Sequence, residues 1–292
     1  MNDARSRTLI TVDELARLLD AREAVVLLDV IDEQGGAPDD RPKIPGALSV
    51  HLATDFSGRP TPAAGRRPLP DVSDLQAKAR AWGICGDSIV VVYDNSGSAQ
   101  ASRAWWTLRW AGLANVRVLD GGYGAWIAAG RPWSKHVATR AALDGNVVLT
   151  SGGMPTIDAE EAAALATQSR LLDARPRAAY AGDLAKPGTG HIPGAIHAAA
   201  GDNIADGKFK SNEELRARFS VLGADGSTKI GVFCGSGNAV DLFLTSSAFH
   251  APPLFPHRGK RALVEPMRAI KQPRPQHERH FVPLALRVRL ES

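Results

Sequence analysis

The stretch that decides the fold is Ile230-Gly231-Val232-Phe233-Cys234-Gly235-Ser236-Gly237-Asn238-Ala239. Its apolar first part predicts the end of a buried strand. The Gly/Ser-rich loop that follows predicts a turn into a helix that begins near Ala239. Glycine tolerates the backbone angles that let consecutive N–H groups point at one atom, and a helix N-terminus adds partial positive charge. Both effects favour the nucleophilic thiolate of Cys234, although a short motif leaves a buried structural cysteine as the competing interpretation.

The composition predicts a soluble protein of the cytoplasm. The chain has 292 residues, enough for two domains, and its 44% hydrophobic and 23% charged content is typical of globular proteins. It contains no apolar run of the roughly 18 residues that span a bilayer, and its polar N-terminus does not resemble a secretory signal. Two cysteines, Cys85 and Cys234, are too few for a structural zinc site or a disulfide framework.

The positive charge of the chain is concentrated at its C-terminal end. Residues 252–292 hold 9 of the 35 Lys/Arg residues and 3 of the 31 Asp/Glu residues, so the rest of the chain is slightly acidic. A basic patch on the folded body is the usual mark of a nucleic-acid-binding protein. We therefore expect no nucleic-acid partner, and the lack of apolar spans predicts no membrane partner either.

Strand and helix patterns alternate along the chain, which predicts α/β domains with a mainly parallel sheet flanked by helices. The pattern then restarts near residue 154, which indicates an internal repeat. Three short segments of the second half match segments of the first: Leu171-Leu172-Asp173-Ala174 matches Leu27-Leu28-Asp29-Val30, His191-Ile192-Pro193-Gly194-Ala195 matches Lys43-Ile44-Pro45-Gly46-Ala47, and the run before Cys234 matches the run before Asp94.

The repeat divides the chain into four parts. We predict a non-catalytic first domain at residues 1–131, a linker at 132–153, a catalytic second domain at 154–250, and an atypical basic, proline-rich tail at 251–292. Only the second copy has a nucleophile at its strand-to-helix turn, because Asp94 occupies the corresponding position of the first. We therefore expect the first domain to form a wall of the active-site cleft. Residues 57–71, which are rich in Pro, Gly and Arg, predict a surface loop.

Two such copies, each with the Ile-Pro-Gly-Ala turn and the second with Cys234-Gly235-Ser236-Gly237, resemble tandem rhodanese-domain sulfurtransferases. The thiosulfate and 3-mercaptopyruvate sulfurtransferases belong to this family. The resemblance covers residues 11–239 and implies two rhodanese-like domains. It also implies an enzyme that moves a sulfane sulfur from 3-mercaptopyruvate or thiosulfate to an acceptor, with no metal or organic cofactor.

The resemblance assigns roles to individual residues. Cys234 would carry the persulfide, and Ser236 would relay a proton or hydrogen-bond the donor. The loop residues Gly235, Gly237, Asn238 and Ala239 would surround the sulfur, while Arg177 and Lys186 would hold the donor's carboxylate. A thiol, cyanide or a thioredoxin-like protein would accept the sulfur in a second step.

The sequence departs from the family pattern at three places. Ala179 stands where an Arg often precedes the aromatic residue of the segment that begins at Arg177. His51 stands where mercaptopyruvate enzymes often have an acidic residue that completes a Cys-Ser-Asp relay, and Asp55 is the nearby substitute. The loop continues as Asn238-Ala239-Val240 instead of Val-Thr-Ala.

The C-terminal part departs further. Residues 252–292 contain 7 of the 19 prolines and no Trp, whereas the first copy continues with a strand and the turn Asp120-Gly121-Gly122. We hypothesise that the reading frame changed soon after Gly237. In that case the second sheet would lack the strand that follows the catalytic helix.

Two alternative functions follow from these observations. The Cys-x5-Arg phosphatases share this fold, but their phosphate-binding Arg would fall at Val240, so the sequence argues against a phosphatase. A catalytically impaired scaffold or paralogue is the second alternative, supported by the altered loop, by His51 and Ala179, and by the tail.

Overall fold

The first half of the chain folds around a parallel sheet. The computed structural model describes residues 4–32, 41–61, 65–136, 141, 143–183, 185, 189–224, 228–235, 238–247 and 255–256. The elements of this half are, in chain order, α1 (Ala4–Thr8), β1 (Leu9–Ile10), α2 (Val12–Asp20), β2 (Val25–Ile31), β3 (Leu48–His51), α3 (Leu52–Asp55), α4 (Val72–Ala81), β4 (Ile89–Tyr93), α5 (Ala99–Trp110), β5 (Val116–Leu119) and α6 (Gly122–Ala128).

The strands of this first sheet run parallel in the order β1-β5-β4-β2-β3. β4 lies at the centre of the sheet, as its continuous β-branched sequence predicts, because a strand covered on both faces needs apolar residues at every position. The β1 strand was not predicted from the sequence. It has only two residues, too few for a recognisable alternation of apolar and polar positions.

The helix that opens each copy begins with a capping box. The hydroxyl of Thr11 accepts a hydrogen bond from the Glu14 amide at 3.2 Å, and the Glu14 carboxylate accepts one from the Thr11 amide at 2.9 Å. Asp158 and Glu161 form the same pair of bonds at the start of the equivalent helix of the second copy. Both helices thus begin with the box that a Thr-x-x-Glu or Asp-x-x-Glu sequence predicts, and the repeat extends to the way its helices begin.

The second half of the chain has the same plan in a shorter form. Its elements are α7 (Ala159–Thr167), β6 (Leu171–Asp173), α8 (Arg177–Ala181), β7 (Ile196–His197), a 3-10 turn (Ala200–Asn203), β8 (Ile204–Ala205), β9 (Lys208–Phe209), α9 (Asn212–Val221), β10 (Gly231–Phe233), α10 (Asn238–Ser247) and β11 (Phe255–Pro256). The parallel order is β11-β10-β6-β7, while β8 and β9 form a separate antiparallel hairpin.

The strand β11 corrects one expectation. The frame hypothesis predicted that the strand after the catalytic helix would be missing, but Phe255 and Pro256 pair in parallel with β10 and occupy that place. The strand has two residues, whereas β5 of the first domain has four. The rest of the predicted tail, at 251–254 and 257–292, lies outside the described residues, so the frame hypothesis itself stays a prediction.

The segment after the first domain packs against that domain. The amide of Val147 donates to the Ile84 carbonyl at 3.1 Å, and that of Thr150 donates to the Ala111 carbonyl at 3.0 Å. The side chains of Val147 and Leu149 are buried. The stretch predicted as a linker thus contributes apolar surface to the first domain.

The two domains share one apolar cluster. Trp106 of α5 and Leu242 of α10 belong to the same group of buried side chains, and these two helices pack against each other. A continuous core holds the domains in a fixed relation, because separating them would expose apolar surface to water. Within the described part of the chain, no helix has both the length and the apolar character needed to cross a membrane.

Candidate active site

Cys234 lies at the carboxyl end of β10, where the chain leaves the sheet toward α10. Its side chain is half-buried and packs against the shared core, and its thiol is not part of a disulfide. We call residues 234–237 the Cys234 loop. α10 begins only four residues after the cysteine, at Asn238. The predicted order of strand, cysteine, loop and helix is therefore confirmed.

The corresponding turn of the first domain shows what such a loop can hold. The carboxylate of Asp94 is buried and accepts hydrogen bonds from the backbone amides of Ser96, Ser98, Gln100 and Ala101, at 2.8–2.9 Å. Four amides that converge on one negative group, two of them in the first turn of α5, form an anion-binding nest. In the first domain this nest is filled by a side chain of the protein itself.

The first domain extends a loop across the entrance to the second. We call residues 57–71 the arginine loop. Nη2 of Arg66 lies 3.4 Å from the position that a Cβ on Gly235 would occupy, and the Arg66 side chain is exposed. No carboxylate among the described residues lies within ion-pair distance of Arg66. The sequence predicted a surface loop, which agrees with the exposure of Arg66, but it did not predict the contact with the Cys234 loop, because that contact depends on how the two domains pack.

Arg67 and Arg103 carry two further positive charges in this region. Arg67 forms an ion pair with Asp32, with Nη2 2.7 Å from the carboxylate. Arg103 is almost completely buried on α5 and pairs with Asp241 of α10 at 3.6 Å. Burial lowers the pKa of the Arg103 guanidinium to about 10, while the negative charge of Cys234 raises it and the nearby Arg67 lowers it further. Sequence analysis missed both residues because they lie more than 130 positions from Cys234.

Of the two cations predicted to hold the donor, only one is described. Arg177 is exposed at the start of α8, with its guanidinium 6.0 Å from the centre of the Tyr180 ring. Lys186 lies outside the described residues, as do Ser236 and Gly237 of the Cys234 loop. Gly235 is exposed, and Asn238 and Ala239 are half-buried in the first turn of α10.

Arg175, which the sequence did not single out, is fixed beside β10, the strand that precedes Cys234. Its guanidinium binds the fully buried carboxylate of Asp173 at 2.6–3.1 Å, donates to the Gly190 carbonyl at 2.7 Å, and lies over the ring of Phe233. These bonds connect β6 to the turn before β7. Arg175 therefore holds the backbone next to Cys234.

Two polar residues that could serve as acid–base groups, His191 and Asp55, make structural contacts. His191 stacks on Tyr180 with ring centres 3.9 Å apart and shares a hydrogen bond with the Tyr180 carbonyl, so its ring helps to hold the turn. The Asp55 carboxylate accepts from the His51 amide at 2.7 Å and pairs with Lys78 at 3.1 Å. Asp55 thus caps α3, and the suggested substitution of Asp55 into a Cys-Ser-Asp relay receives no support from these contacts.

Comparison with known proteins agrees with this arrangement. The model of the rhodanese-like domain family matches residues 11–129 and 158–253. A Mycobacterium tuberculosis (strain H37Rv) protein named as the thiosulfate sulfurtransferase SseB is 40% identical over 257 residues, which cover 84% of this chain and 89% of that protein. A Pseudomonas aeruginosa protein named as a 3-mercaptopyruvate sulfurtransferase is 36% identical over 287 residues, with 91% and 98% covered.

The fold is also that of solved structures. The crystal structure of SseA from Escherichia coli, described as a 3-mercaptopyruvate sulfotransferase with the rhodanese fold, superposes with a TM-score of 0.74 at 24% identity and covers 86% of this chain and 97% of SseA. The 3-mercaptopyruvate sulfurtransferase from Leishmania major gives a TM-score of 0.73 at 20% identity, with 88% and 73% covered. With a family model that matches both halves and relatives of this identity, the chain belongs to the rhodanese-like domain family and is a sulfurtransferase built from two copies of that domain.

Proposed function

We propose that the protein moves a sulfane sulfur from a small anionic donor, 3-mercaptopyruvate or thiosulfate, to a thiol or cyanide through a persulfide on Cys234. The observation that carries this proposal is the replacement of Asp94 by a cysteine at the equivalent turn of the second domain. Where the first domain holds a carboxylate in a nest of amides, the second has the half-buried sulfur of Cys234.

The first step forms the persulfide. The Cys234 thiolate attacks the sulfur of 3-mercaptopyruvate, an S–S bond forms, and the C–S bond breaks with its electron pair going to carbon. The resulting enolate takes up a proton and leaves as pyruvate. With thiosulfate the same attack on the outer sulfur breaks the S–S bond of the donor, and sulfite leaves with the electron pair.

Two features of the site support an anionic donor. The Arg66 guanidinium stands over Gly235, the residue after the attacking Cys234, and Arg177 lies exposed on α8. A guanidinium binds a carboxylate or sulfonate through two parallel hydrogen bonds. We place the leaving anionic part of the donor between the arginine loop and the Cys234 loop, with Asn238 and Ala239 forming the floor.

The second step returns the enzyme to its starting state. A thiolate or cyanide attacks the outer sulfur of the persulfide, and the Cys234 thiolate leaves. Amides of the Cys234 loop and the first turn of α10 would stabilise the sulfur anion in both steps, as the matching amides stabilise Asp94. Ser236 is the proposed hydroxyl partner of the donor, and a thioredoxin-like protein is the proposed macromolecular acceptor.

Intact-mass spectrometry tests the proposal. The purified protein is incubated with 3-mercaptopyruvate and, separately, with thiosulfate, and pyruvate or sulfite is measured in a single turnover. We expect the mass to increase by one sulfur atom in the unmodified protein and in Cys85→Ser, but not in Cys234→Ser. A folded protein that gains no sulfur from either donor would contradict the proposal.

The alternative of a catalytically impaired scaffold is not favoured, because the relatives at 36% and 40% identity carry enzyme names and match both halves of the chain. The two cysteines are free thiols, and the catalytic one must stay reduced to react. We therefore propose the reducing cytoplasm as the site of action.

A further inference from the structure

Arg103 is a charged side chain in an apolar place. It lies on α5 among the shared core residues, with a relative exposure of 1%. Burying a guanidinium costs free energy unless hydrogen bonds and an opposite charge compensate for the lost water. The contacts of Arg103 therefore show which groups compensate for the burial of its charge and which segments it connects.

On one side, Arg103 binds the residue before the arginine loop and two residues within it. Its Nε and Nη2 donate to the carbonyl of Phe56 at 3.3 and 3.1 Å, and Nη2 also lies 3.2 Å from the carbonyls of Arg67 and Pro68. One guanidinium thus connects the residue that precedes the loop to the part of the loop that directly follows Arg66. The planar fork of arginine makes these simultaneous bonds, which a lysine ammonium does not reproduce.

On the other side, Arg103 binds the second domain. Its Nη1 lies 3.6 Å from Oδ2 of Asp241, a carboxylate with a relative exposure of 0%. Asp241 stands in the first turn of α10, seven residues after Cys234. A buried ion pair therefore connects α10, which follows the Cys234 loop, to α5, whose Arg103 binds the arginine loop.

The charges around Arg103 come from three elements. Asp241 faces it from α10, Cys234 from the end of β10, and Arg67 from the arginine loop. Arg103 is therefore a buried cation that lies between the arginine loop, the end of β10 and α10.

We propose that Arg103 is a positioning residue of the sulfur-transfer site, which holds the arginine loop and the first turn of α10 in place on either side of Cys234. The inference rests on the proposed function. It adds that the positive potential at the cysteine depends on a residue of the first domain that does not itself touch the donor.

The test compares the alkylation of Cys234 by anionic iodoacetate and by neutral iodoacetamide, in a Cys85→Ser background where Cys234 is the only thiol. The ratio of the two rates reports the positive potential at the sulfur. The variant is Arg103→Met combined with Asp241→Leu, which removes one charge of each sign and replaces a buried ion pair by apolar groups, a change that proteins often tolerate. We expect the iodoacetate-to-iodoacetamide ratio to fall about threefold to tenfold as the arginine loop loosens.

Trp105→Phe is the matched control for stability. It removes a buried hydrogen bond from the same helix, from the Trp105 indole to the Val116 carbonyl, and is expected to leave the alkylation ratio unchanged. An unchanged ratio in the folded double variant, or an equal fall in Trp105→Phe, would overturn the proposal. If the double variant does not fold, Arg103→Lys decides: it keeps the charge but not the fork, so a wild-type ratio would reject positioning by Arg103.

Alkylation requires no sulfur donor, so the two proposals fail separately. A protein that gains no sulfur from either donor but shows the expected fall in ratio would contradict the proposed function and retain the role of Arg103. A protein that forms the persulfide, but whose alkylation ratio is unchanged in the Arg103 variants, would support the proposed function and contradict the role of Arg103.

Discussion

Nη2 of Arg66 in the first domain lies 3.4 Å from the point where a Cβ of residue 235 would stand in the second. The guanidinium therefore covers the residue directly after Cys234, and a side chain at position 235 would touch it. Through this contact the first domain, which has Asp94 at its own turn, adds a positive charge beside the Cys234 loop of the second.

The first prediction concerns the anionic donor. Replacing Arg66 by Ala removes a charge-assisted contact and should raise KM for 3-mercaptopyruvate and thiosulfate about tenfold, with a smaller change in kcat. Steady-state kinetics at two ionic strengths measure both KM and kcat. Arg59→Ala, an exposed arginine of the same loop, is the control and should leave KM unchanged. Equal KM values in Arg66→Ala and wild type would show that the donor does not bind there.

The second prediction concerns the filled nest of the first domain. Asp94→Ala leaves four amide groups without their acceptor, two of them in buried hydrogen bonds, so it should lower the free energy of unfolding by about 3 kcal/mol. Asp94→Asn keeps the shape of the side chain but turns an NH2 group toward amide donors. It should lower the free energy of unfolding by about 2 kcal/mol. Urea unfolding measures both. The exposed Asp87→Asn is the control, and a stability of Asp94→Ala equal to that control would contradict the role of the nest.

The third prediction separates two neighbouring arginines. Arg175→Ala leaves the buried Asp173 carboxylate without its guanidinium and should cost about 3 kcal/mol of stability. The exposed Arg177→Ala should change stability by less than about 0.5 kcal/mol but raise the donor KM. Thermal unfolding and steady-state measurements of the donor KM, on the same preparations, test both variants. A stable Arg175→Ala protein, or an unchanged KM in Arg177→Ala, would reject the corresponding assignment.

The fourth prediction concerns the capping box of α2. The hydrogen bond from the Thr11 backbone lowers the pKa of Glu14, aided by the Thr11 side chain and by Arg117 and Arg17, while partial burial acts in the opposite direction. Because the folded-state pKa lies below the ordinary value, the ionised box contributes its full stability at neutral pH and loses it as the pH falls through the folded pKa. Glu14→Gln should be less stable than wild type by about 0.5 kcal/mol at neutral pH.

That difference should shrink at pH values below the lowered pKa of Glu14, where the wild-type carboxyl is protonated too. Unfolding curves of both proteins at neutral and acidic pH provide the measurement. A difference that stays constant across this range would show that ionisation of Glu14 does not contribute.

The sequence predicted the local parts of the structure well, because each is encoded by neighbouring residues. The Thr11 capping box, the central strand at Ile89–Tyr93 and the turn from β10 through Cys234 into α10 all follow from short patterns of apolar, capping and glycine residues. The two-residue strands β1 and β11 were not predicted, because they form only by pairing with strands distant in the sequence. A segment of two residues is too short to show the alternation of apolar and polar positions that would predict such a strand.

The sequence by itself determined the repeat and the α/β class, and it singled out Cys234 as the proposed nucleophile, since a cysteine after a buried strand in the second copy has its counterpart in Asp94 of the first. Tertiary structure alone decided which charges lie near that cysteine. Arg66 reaches Gly235, and Arg103 pairs with Asp241, only because the two domains pack across a shared apolar core. The physical reason is that periodicity fixes which face of each element is buried, whereas the contacts between two buried faces depend on how whole domains dock.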